Sequence, residues 1–339
     1  MRIPFLRTVK QAVRRGFLHT VFIMIAISMK DLLDRLNGLG ELPESATVEV
    51  NNSRMLLFPR KGAIHQDLFV YRKREPISTD YLIKSRILKK GDTVLDIGAN
   101  IGYYVLIESQ LVGENGKVYA VEPVRGNFDL LKKNVLLNNL KNVDTFQLAF
   151  GEDNKESTIY VSNFCNLSSM KKNTTIGKII DAQSVTEQTV DTFLKNKVSP
   201  SLIRMDVEGY EYEILKGMLQ TLKGKVRILA ELHPCNLYEE KIKEIFQILT
   251  QNNFYVRFAV YEPKIKENET VNKIIDKIVD DLLKKAKVRT PIEERALGID
   301  FDHALSPTIV LSNVSLQEFQ ETIKEHPNLA PNVLFEKQS

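Results

Sequence analysis

The sequence has few cysteines and little net charge, and each of these shortages excludes a class of protein. Its 339 residues include two cysteines, which are too few for a disulfide scaffold and fit a reducing compartment. Lys and Arg number 47 against 43 Asp and Glu, an excess too small to argue for a nucleic acid partner. The sequence also contains no internal repeat and no low-complexity tract. The composition is therefore that of an ordinary globular protein.

The N-terminal segment carries much of the excess positive charge. Residues 1–15 contain five basic residues and no acidic one, and an apolar run over residues 16–29 follows. A basic flank before an apolar run is typical of signal peptides and membrane anchors, but this run is shorter than the roughly 18 to 20 residues that span a bilayer. A core-packing helix, an interfacial membrane helix and a signal anchor stay open as alternatives. We expect a cytoplasmic protein that can contact a membrane peripherally through residues 1–30.

An alternation of strand and helix patterns begins near residue 80. Three apolar segments read as strands separated by two helices, and the strands are "TVLDI", "GKVYAVEP" and "VDTFQLAF". Strand patterns continue in "SLIRMDV", "VRILAEL" and "FYVRFAV", with helical patterns over "YEYEILKGMLQTL" and "YEEKIKEIFQILTQNN". This order predicts an α/β fold in which helices cover both faces of a mostly parallel sheet.

Further segments are expected to surround this core. We predict a basic and apolar helical segment over residues 1–45, a small β extension over 46–78, a core over 79–262, a charged helical insertion over 263–300, and a completing strand and helix over 301–339. Within the extension, "TVEVNN" and "DLFVYRK" alternate as strands do. A helix over "EPISTDYLIKSRIL" is expected to be capped by Ser78 or Thr79.

Three assignments late in the core are less regular. The segment "STIYVS" predicts a hairpin strand, and the polar residues 162–185 predict a loop on the side of the ligand site. Either "PTIVLSN" or "PNVLFEK" could supply the closing strand of the sheet, and periodicity does not choose between them.

The turn after the first core strand is the expected ligand site, because open parallel sheets bind ligands at the carboxyl ends of their strands. The dinucleotide fingerprint G-x-G-x-x-G is not matched, since the turn reads Gly98, Ala99, Asn100, Ile101, Gly102. Asp96 precedes the turn, where an acid disfavours a phosphate and suits a cation such as the amino group of a methionine. Glu122 ends the second strand and is placed to accept hydrogen bonds from two ribose hydroxyls. The pattern favours a cationic nucleoside such as S-adenosylmethionine.

Four titratable side chains follow the fourth and fifth core strands, and we predict that they form the catalytic site. Asp206 and Glu208 follow "LIRM", and Glu231 and His233 end "ILAELH". Because His233 titrates near neutral pH, it is the candidate base, with Asp206 orienting it or contacting the cofactor. We expect no metal, because the set lacks a diagnostic spacing. Asp206, Glu231 and His233 could instead bind a divalent ion that lowers the pKa of the acceptor.

Several ordered motifs resemble the FkbM-type methyltransferase family, whose members are class I enzymes that use S-adenosylmethionine. The motifs are "VLDIGANIGYY", "VYAVEP" with "NFDLLKKNVLLNN", "LIRMDVEGYEYEILKG" and "ILAELHP". They run from about residue 80 to residue 260, and the D-x-E-G-x-E block is the most specific of them. The N-terminal 45 residues and residues 263–300 lie outside the resemblance.

The resemblance implies a fold, a pocket and a reaction. The fold is Rossmann-like with a mostly parallel seven-stranded sheet, preceded here by an N-terminal helical and β extension. The implied cofactor pocket comprises Asp96, Gly98, Ala99, Asn100, Gly102 and Glu122, with Ala149 and Phe150 near the adenine. "NLSSM" is similar to the family's small-residue loop near the site, and "TVDTFL" to its T-L-D block, with Phe193 shifted from the usual order.

The implied reaction is O-methylation, often of a sugar hydroxyl in a glycan, glycolipid or secondary metabolite, and the acceptor itself is not identified. The expected partners are S-adenosylmethionine and a hydroxyl-bearing, carbohydrate acceptor. Nucleic acid is not expected, because the charges near the site are mixed. Alternatives are a lipid, protein or RNA acceptor, and a non-catalytic, membrane-associated scaffold of a glycan-assembly complex. An NAD-dependent dehydrogenase is disfavoured because the turn lacks the glycine spacing of the G-x-G-x-x-G fingerprint.

Overall fold

The computed structural model describes residues 42–163, 168–172, 178–261, 309–325 and 330–338. The strands are β1 (Ala46–Val50), β2 (Ser53–Leu57), β3 (Thr93–Ile97), β4 (Lys117–Val121), β5 (Val143–Phe146), β6 (Ala149–Phe150), β7 (Lys155–Ser162), β8 (Ile179–Gln188), β9 (Leu202–Met205), β10 (Arg227–Glu231), β11 (Phe254–Tyr261), β12 (Ile309–Val314) and β13 (Asn332–Lys337). The helices are α1 (Ala63–Tyr71), α2 (Pro76–Lys84), α3 (Tyr103–Val112), α4 (Arg125–Leu137), α5 (Val190–Leu194), α6 (Glu211–Lys216), α7 (Glu239–Gln251) and α8 (Leu316–Glu325).

An eight-stranded sheet in the order β12-β11-β13-β10-β9-β3-β4-β5 forms the centre of the described chain. The neighbours from β10 to β5 are parallel, whereas β13 runs antiparallel to both β10 and β11. The prediction of a mostly parallel α/β sheet is confirmed. The predicted count of seven strands is too low by one, because both C-terminal candidates enter the sheet. Strand β13 inserts between β10 and β11, and β12 adds an outer strand beside β11.

Helices cover both faces of this sheet, as predicted. Alternate residues of each central strand belong to two different apolar clusters, for example Val94 to one and Leu95 to the other. Helices α1 to α4 contribute to the first cluster and α5 to α8 to the second. Because side chains along a strand alternate between faces, Asp96, Arg204 and Glu231 lie on the face that α3 covers.

The N-terminal extension begins with an antiparallel hairpin of β1 and β2. The backbone N–H groups of Arg54 and Leu56 donate to the side-chain oxygens of Asn138 and Asn134, at 2.8 and 2.7 Å, and so join the hairpin to α4. The prediction that "DLFVYRK" forms the second strand was wrong, since most of it lies in α1. The buried residues Ile64 and Leu68 are four apart, which is helical spacing, and their burial against the core favours the helix.

Four further boundaries differ from the predictions. Helix α2 begins at Pro76, so Ser78 and Thr79 are buried inside its first turn and do not cap it. "VDTFQLAF" divides into β5 and β6, and β6 belongs to a separate three-stranded sheet in the order β6-β8-β7. Strand β8 occupies the end of the predicted loop 162–185, and β7 pairs with it as the expected hairpin strand. Helix α6 ends at Lys216.

Two predicted helical segments lie outside the described residues: most of 1–45 and all of 263–300. Among the helices that the structure does describe, none is both long enough and apolar enough to cross a membrane.

Candidate active site

The glycine turn between β3 and α3 has a left-handed backbone at three positions. The φ angles of Gly98, Asn100 and Gly102 are 82°, 49° and 95°. A Cβ atom on Gly98 would overlap the carbonyl oxygen of Asp206, so glycine lets the turn approach the end of β9. Asn100 adopts this conformation because its side-chain oxygen accepts from the N–H of Ile101 at 2.8 Å. Gly102 packs against Leu131 and does not line the cleft described below.

Glu122 faces this turn from the end of β4, where its carboxylate accepts three hydrogen bonds. The donors are the backbone N–H groups of Asn100 at 2.9 Å and Val124 at 3.0 Å, and the side-chain amide of Asn127 at 3.4 Å. Burial raises the pKa of Glu122 to about 7, against the opposing effect of these donors. The carboxylate is therefore poised to change charge near neutral pH.

A cleft that is partly open to solvent lies between the glycine turn and the ends of β4, β6 and β9. Both apolar and charged side chains line it. The predicted site residues that line it are Gly98, Ala99, Asn100, Glu122, Ala149, Phe150, Asp206 and Glu208.

Asp96 does not line the cleft, contrary to the prediction, because it is fully buried behind the glycine turn. Its Oδ1 lies 3.1 Å from Nη1 of Arg204, its register partner on β9. Burial raises the pKa of the Asp96 carboxyl, and Arg204 opposes that shift. The Arg204 guanidinium also stacks over the ring of Tyr104 at 3.8 Å and lies 3.4 Å from Asp206. Asp96 thus holds Arg204, and Arg204 reaches the cleft.

We expect the Arg204→Met variant to lower the free energy of unfolding by about 3 to 5 kcal/mol, because it leaves the buried Asp96 carboxylate without its cation. Urea denaturation followed by circular dichroism measures the change. Arg227→Met is the matched control, since Arg227 on β10 is part-exposed and lies 3.8 Å from Asp92. Its loss should cost less than about 1 kcal/mol. Equal losses of unfolding free energy in the two variants would show that the buried Asp96–Arg204 pair contributes no more to stability than the part-exposed pair of Arg227 and Asp92.

The second charged group surrounds His233, which follows β10 and is buried. Its Nδ1 lies 2.6 Å from Oε1 of Glu211, and its Nε2 lies 3.4 Å from Glu208 and 3.7 Å from Glu231. Burial lowers the pKa of His233, but the three carboxylates together raise it by more. The net pKa therefore lies well above the ordinary value of an imidazole.

This placement divides the four predicted catalytic residues into two pairs. Asp206 and Glu208 line the cleft, whereas Glu231 and His233 lie beneath them and do not. A histidine that is buried below the cleft does not reach a substrate bound there, so it cannot take a proton from it directly. The geometry therefore does not support the predicted base role of His233.

Glu208 stands on a strained turn. Its φ angle is 53°, and that of the following Gly209 is 98°. A left-handed non-glycine residue costs about 1 to 3 kcal/mol and persists only where neighbouring contacts hold it. Here Asn236 donates to the Glu208 carbonyl oxygen at 3.3 Å, and Lys171 donates to that of Gly209 at 2.7 Å. These contacts fix the turn that brings the Glu208 side chain to the cleft.

The sequence reasoning missed three residues at the site: Arg74, Tyr104 and Arg204. Arg204 had a readable signal, because it and Asp96 are single charges in otherwise apolar strands. Arg74 lines the cleft from the loop between α1 and α2, where its Nε donates to Glu75 at 2.8 Å. Tyr104 donates to the same Glu75 at 2.7 Å. No local pattern marks Arg74, since only the packing of the extension brings it there.

The sheet order and the acidic, glycine-containing turn at its centre define the Rossmann-like fold of class I methyltransferases. Residues 96–256 match the family model described as the methyltransferase FkbM domain. The resemblance inferred from the sequence motifs is thereby confirmed.

Individual relatives are distant. The chain is 27% identical to Methyltransferase 1 of Beauveria bassiana over 37% of its own length. It is 26% identical to the hexuronic acid methyltransferase AglP of Haloferax volcanii over 43% of its own length. In both comparisons the chain spans 57% of the relative. A SAM-dependent O-methyltransferase from Thermotoga maritima superposes with a TM-score of 0.36 and 16% identity, covering 66% of this chain and 69% of that one.

Proposed function

We propose that the protein transfers the methyl group of S-adenosylmethionine to a hydroxyl group of a carbohydrate acceptor. The observation that carries this proposal is a single cleft with the Glu122 carboxylate at one end and the Asp206 and Glu208 carboxylates at the other. Such a cleft can hold a nucleoside at the first end and an ionising hydroxyl at the second. The FkbM family match over residues 96–256 supports the reaction class.

The lining residues fit the chemical parts of this cofactor. The Glu122 carboxylate would accept hydrogen bonds from the ribose hydroxyls, and the apolar wall of Leu148, Ala149 and Phe150 would pack against the adenine. Asp206, whose side chain is 20% exposed, offers a negative charge toward the cationic methionine end. Arg74 offers a counterpart for the methionine carboxylate. When bound, S-adenosylmethionine supplies an activated methyl group on a sulfonium.

The protein must supply orientation and remove a proton. A new O–CH₃ bond forms as the S–CH₃ bond breaks, and the sulfur keeps the electron pair. A sugar hydroxyl is a weak nucleophile, so its proton must leave to a nearby base. We assign that role to Glu208, because it lines the cleft and its carboxylate lies 3.4 Å from Nε2 of His233.

The carbohydrate acceptor is the finer part of the proposal. It is supported by the name of one relative, the hexuronic acid methyltransferase AglP of Haloferax volcanii. The predicted peripheral membrane contact through residues 1–30 remains a separate prediction, because those residues lie outside the described part of the chain.

Two measurements test the proposal. Isothermal titration with S-adenosylhomocysteine should give one site per chain, and no binding at near-millimolar ligand by a folded protein would contradict the cofactor assignment. Unlabelled S-adenosylmethionine is then offered with uronic-acid oligosaccharides, neutral oligosaccharides, total RNA or protein, and the products are measured by mass spectrometry. We expect a 14-dalton increment on a carbohydrate. Transfer to RNA or protein alone would keep the reaction class and overturn the acceptor.

The raised pKa of Glu122 predicts a pH-dependent affinity for S-adenosylhomocysteine. Ribose hydroxyls donate to the ionised carboxylate, so binding should strengthen as pH rises through about 7. The ionised fraction rises from about 10% at pH 6 to about 90% at pH 8, which predicts roughly tenfold tighter binding. Titration calorimetry at three pH values measures this slope.

The Glu122→Gln variant should bind more weakly and lose most of the pH slope, because glutamine does not ionise. Glu114→Gln is the matched control, since Glu114 is exposed on the turn before β4. It should keep both the affinity and the slope. A slope that persists in Glu122→Gln would assign the titration to another group.

A further inference from the structure

We propose that the ends of β9 and β10 bind a divalent metal ion of the Mn²⁺ or Mg²⁺ type, with Asp206, Glu208 and Nε2 of His233 as its protein ligands. The site lies at the end of the cleft where the acceptor would bind. The role of the ion in methyl transfer rests on the proposed function. The binding itself can be measured without any reaction.

The three side chains stand close to ligand spacing. One ligand atom of each residue lies within 4.8 Å of the other two. In an octahedral site with bonds of about 2.1 Å, adjacent ligand atoms are roughly 3.0 Å apart and opposite ones roughly 4.2 Å. The 3.4 Å between Nε2 of His233 and Oε2 of Glu208 approaches the value for adjacent ligands. Small side-chain rotations would therefore complete the coordination.

The buried imidazole is oriented as a metal ligand. Nδ1–H of His233 donates to Glu211 at 2.6 Å, which leaves Nε2 turned toward Glu208 and Glu231. Within the described residues Nε2 makes no hydrogen bond, although the His233 side chain is only 3% exposed. A buried polar atom without a hydrogen bond is costly and calls for an explanation. A carboxylate on one imidazole nitrogen and a metal on the other is a frequent arrangement in metalloproteins.

The local charge also favours a cation. Asp206, Glu208, Glu211 and Glu231 place four carboxylates around one imidazole. The two nearby guanidinium groups are shared among several acids, since Arg204 lies 3.1 Å from Asp96 as well as 3.4 Å from Asp206, and Arg74 lies 2.8 Å from Glu75. A divalent ion would offset the remaining negative charge in this largely buried place. Carboxylate oxygens with one imidazole suit Mn²⁺, and carboxylates also suit Mg²⁺.

An ion at this position would lower the pKa of a bound acceptor hydroxyl. One oxygen of Glu208 would bind the ion, and the other would receive the hydroxyl proton. Glu211 is then a positioning residue, because it acts through His233. The alternative is a metal-free cluster in which a proton on His233 is the central cation.

Titration of the full chain with Mn²⁺, followed by the EPR signal of the free ion, tests the proposal. We expect one site per chain and nitrogen modulation of the bound Mn²⁺ signal from an imidazole. Asp206→Asn and Glu208→Gln should each weaken Mn²⁺ binding at least tenfold, and His233→Gln should remove the nitrogen modulation. Asp144→Asn is the matched control, since Asp144 on β5 is half exposed and pairs with Lys117, and it should bind Mn²⁺ as the parent does.

Absence of Mn²⁺ binding by the parent at millimolar ion, or binding that survives both Asp206→Asn and Glu208→Gln, would overturn the proposal. Circular dichroism melts show which variants are folded, and two independent ligand variants guard against the failure of one. Binding of S-adenosylhomocysteine is measured on the same samples. If it binds and Mn²⁺ does not, the metal site alone fails. If Mn²⁺ binds and S-adenosylhomocysteine does not, the proposed function fails and the metal site stands.

Discussion

The Glu208→Gln variant should lose about 100- to 10,000-fold in kcat, while its affinity for S-adenosylhomocysteine changes little. Glutamine keeps the size of the side chain but cannot take a proton from the acceptor, and losses of this size are typical when a general base is removed. Single-turnover methyl transfer separates this chemical step from product release.

Glu152→Gln is the control for this variant, because Glu152 is half exposed outside the cleft and lies 3.6 Å from Lys216. Its kcat should stay within about twofold of the parent. A Glu208→Gln enzyme with near-parental kcat would refute the base assignment and direct attention to Asp206. A variant that loses cofactor affinity in proportion to kcat would instead assign Glu208 to binding.

The Gly98→Ala variant should lower the free energy of unfolding by about 2 to 5 kcal/mol and remove detectable binding of S-adenosylhomocysteine. The added Cβ overlaps the Asp206 carbonyl oxygen, and the φ of 82° disfavours any L side chain. Both effects push β3 away from β9 at the place where the cleft forms. Urea denaturation measures the stability, and titration calorimetry under native conditions measures the binding.

Gly126→Ala is the matched control. Gly126 lies in α4, and a Cβ atom there would meet no atom within 4 Å. Alanine favours the helix over glycine, so this variant should be as stable as the parent or more stable by up to about 1 kcal/mol. If Gly98→Ala were as stable as Gly126→Ala, the close approach of the turn to β9 would not be required.

Much of the central architecture could be predicted from the sequence, because its signals are local. Buried parallel strands read as short apolar runs, and the periodic segments between them read as helices. The α/β class, the parallel centre of the sheet and the position of the glycine turn followed from these patterns. Helix α1 shows the limit of these patterns. The short segment "DLFVYRK" fits both the helical and the strand periodicity of apolar residues, and only its packing on the core distinguishes the two.

Residue types at strand ends also predicted which side chains would gather. Strand ends of a parallel sheet meet at one edge, so Glu122, Asp206 and Glu208 came to the same cleft as the glycine turn. The sequence could not predict which acids face the cleft. Asp96 faces inward because Arg204 is its register partner on β9, and the two residues are 108 positions apart in the chain.

The sequence by itself thus determined the fold class, the resemblance to a methyltransferase family and the edge of the sheet that holds the candidate site, because these depend on local patterns and on motif order. The tertiary structure alone decided which side chains line the cleft and which are buried beneath it. It buried His233 among Glu208, Glu211 and Glu231, where burial lowers its pKa and the three carboxylates raise it, and it brought Arg74 from the extension into the cleft. Burial and charge at a residue depend on partners distant in the chain, and a linear pattern does not contain them.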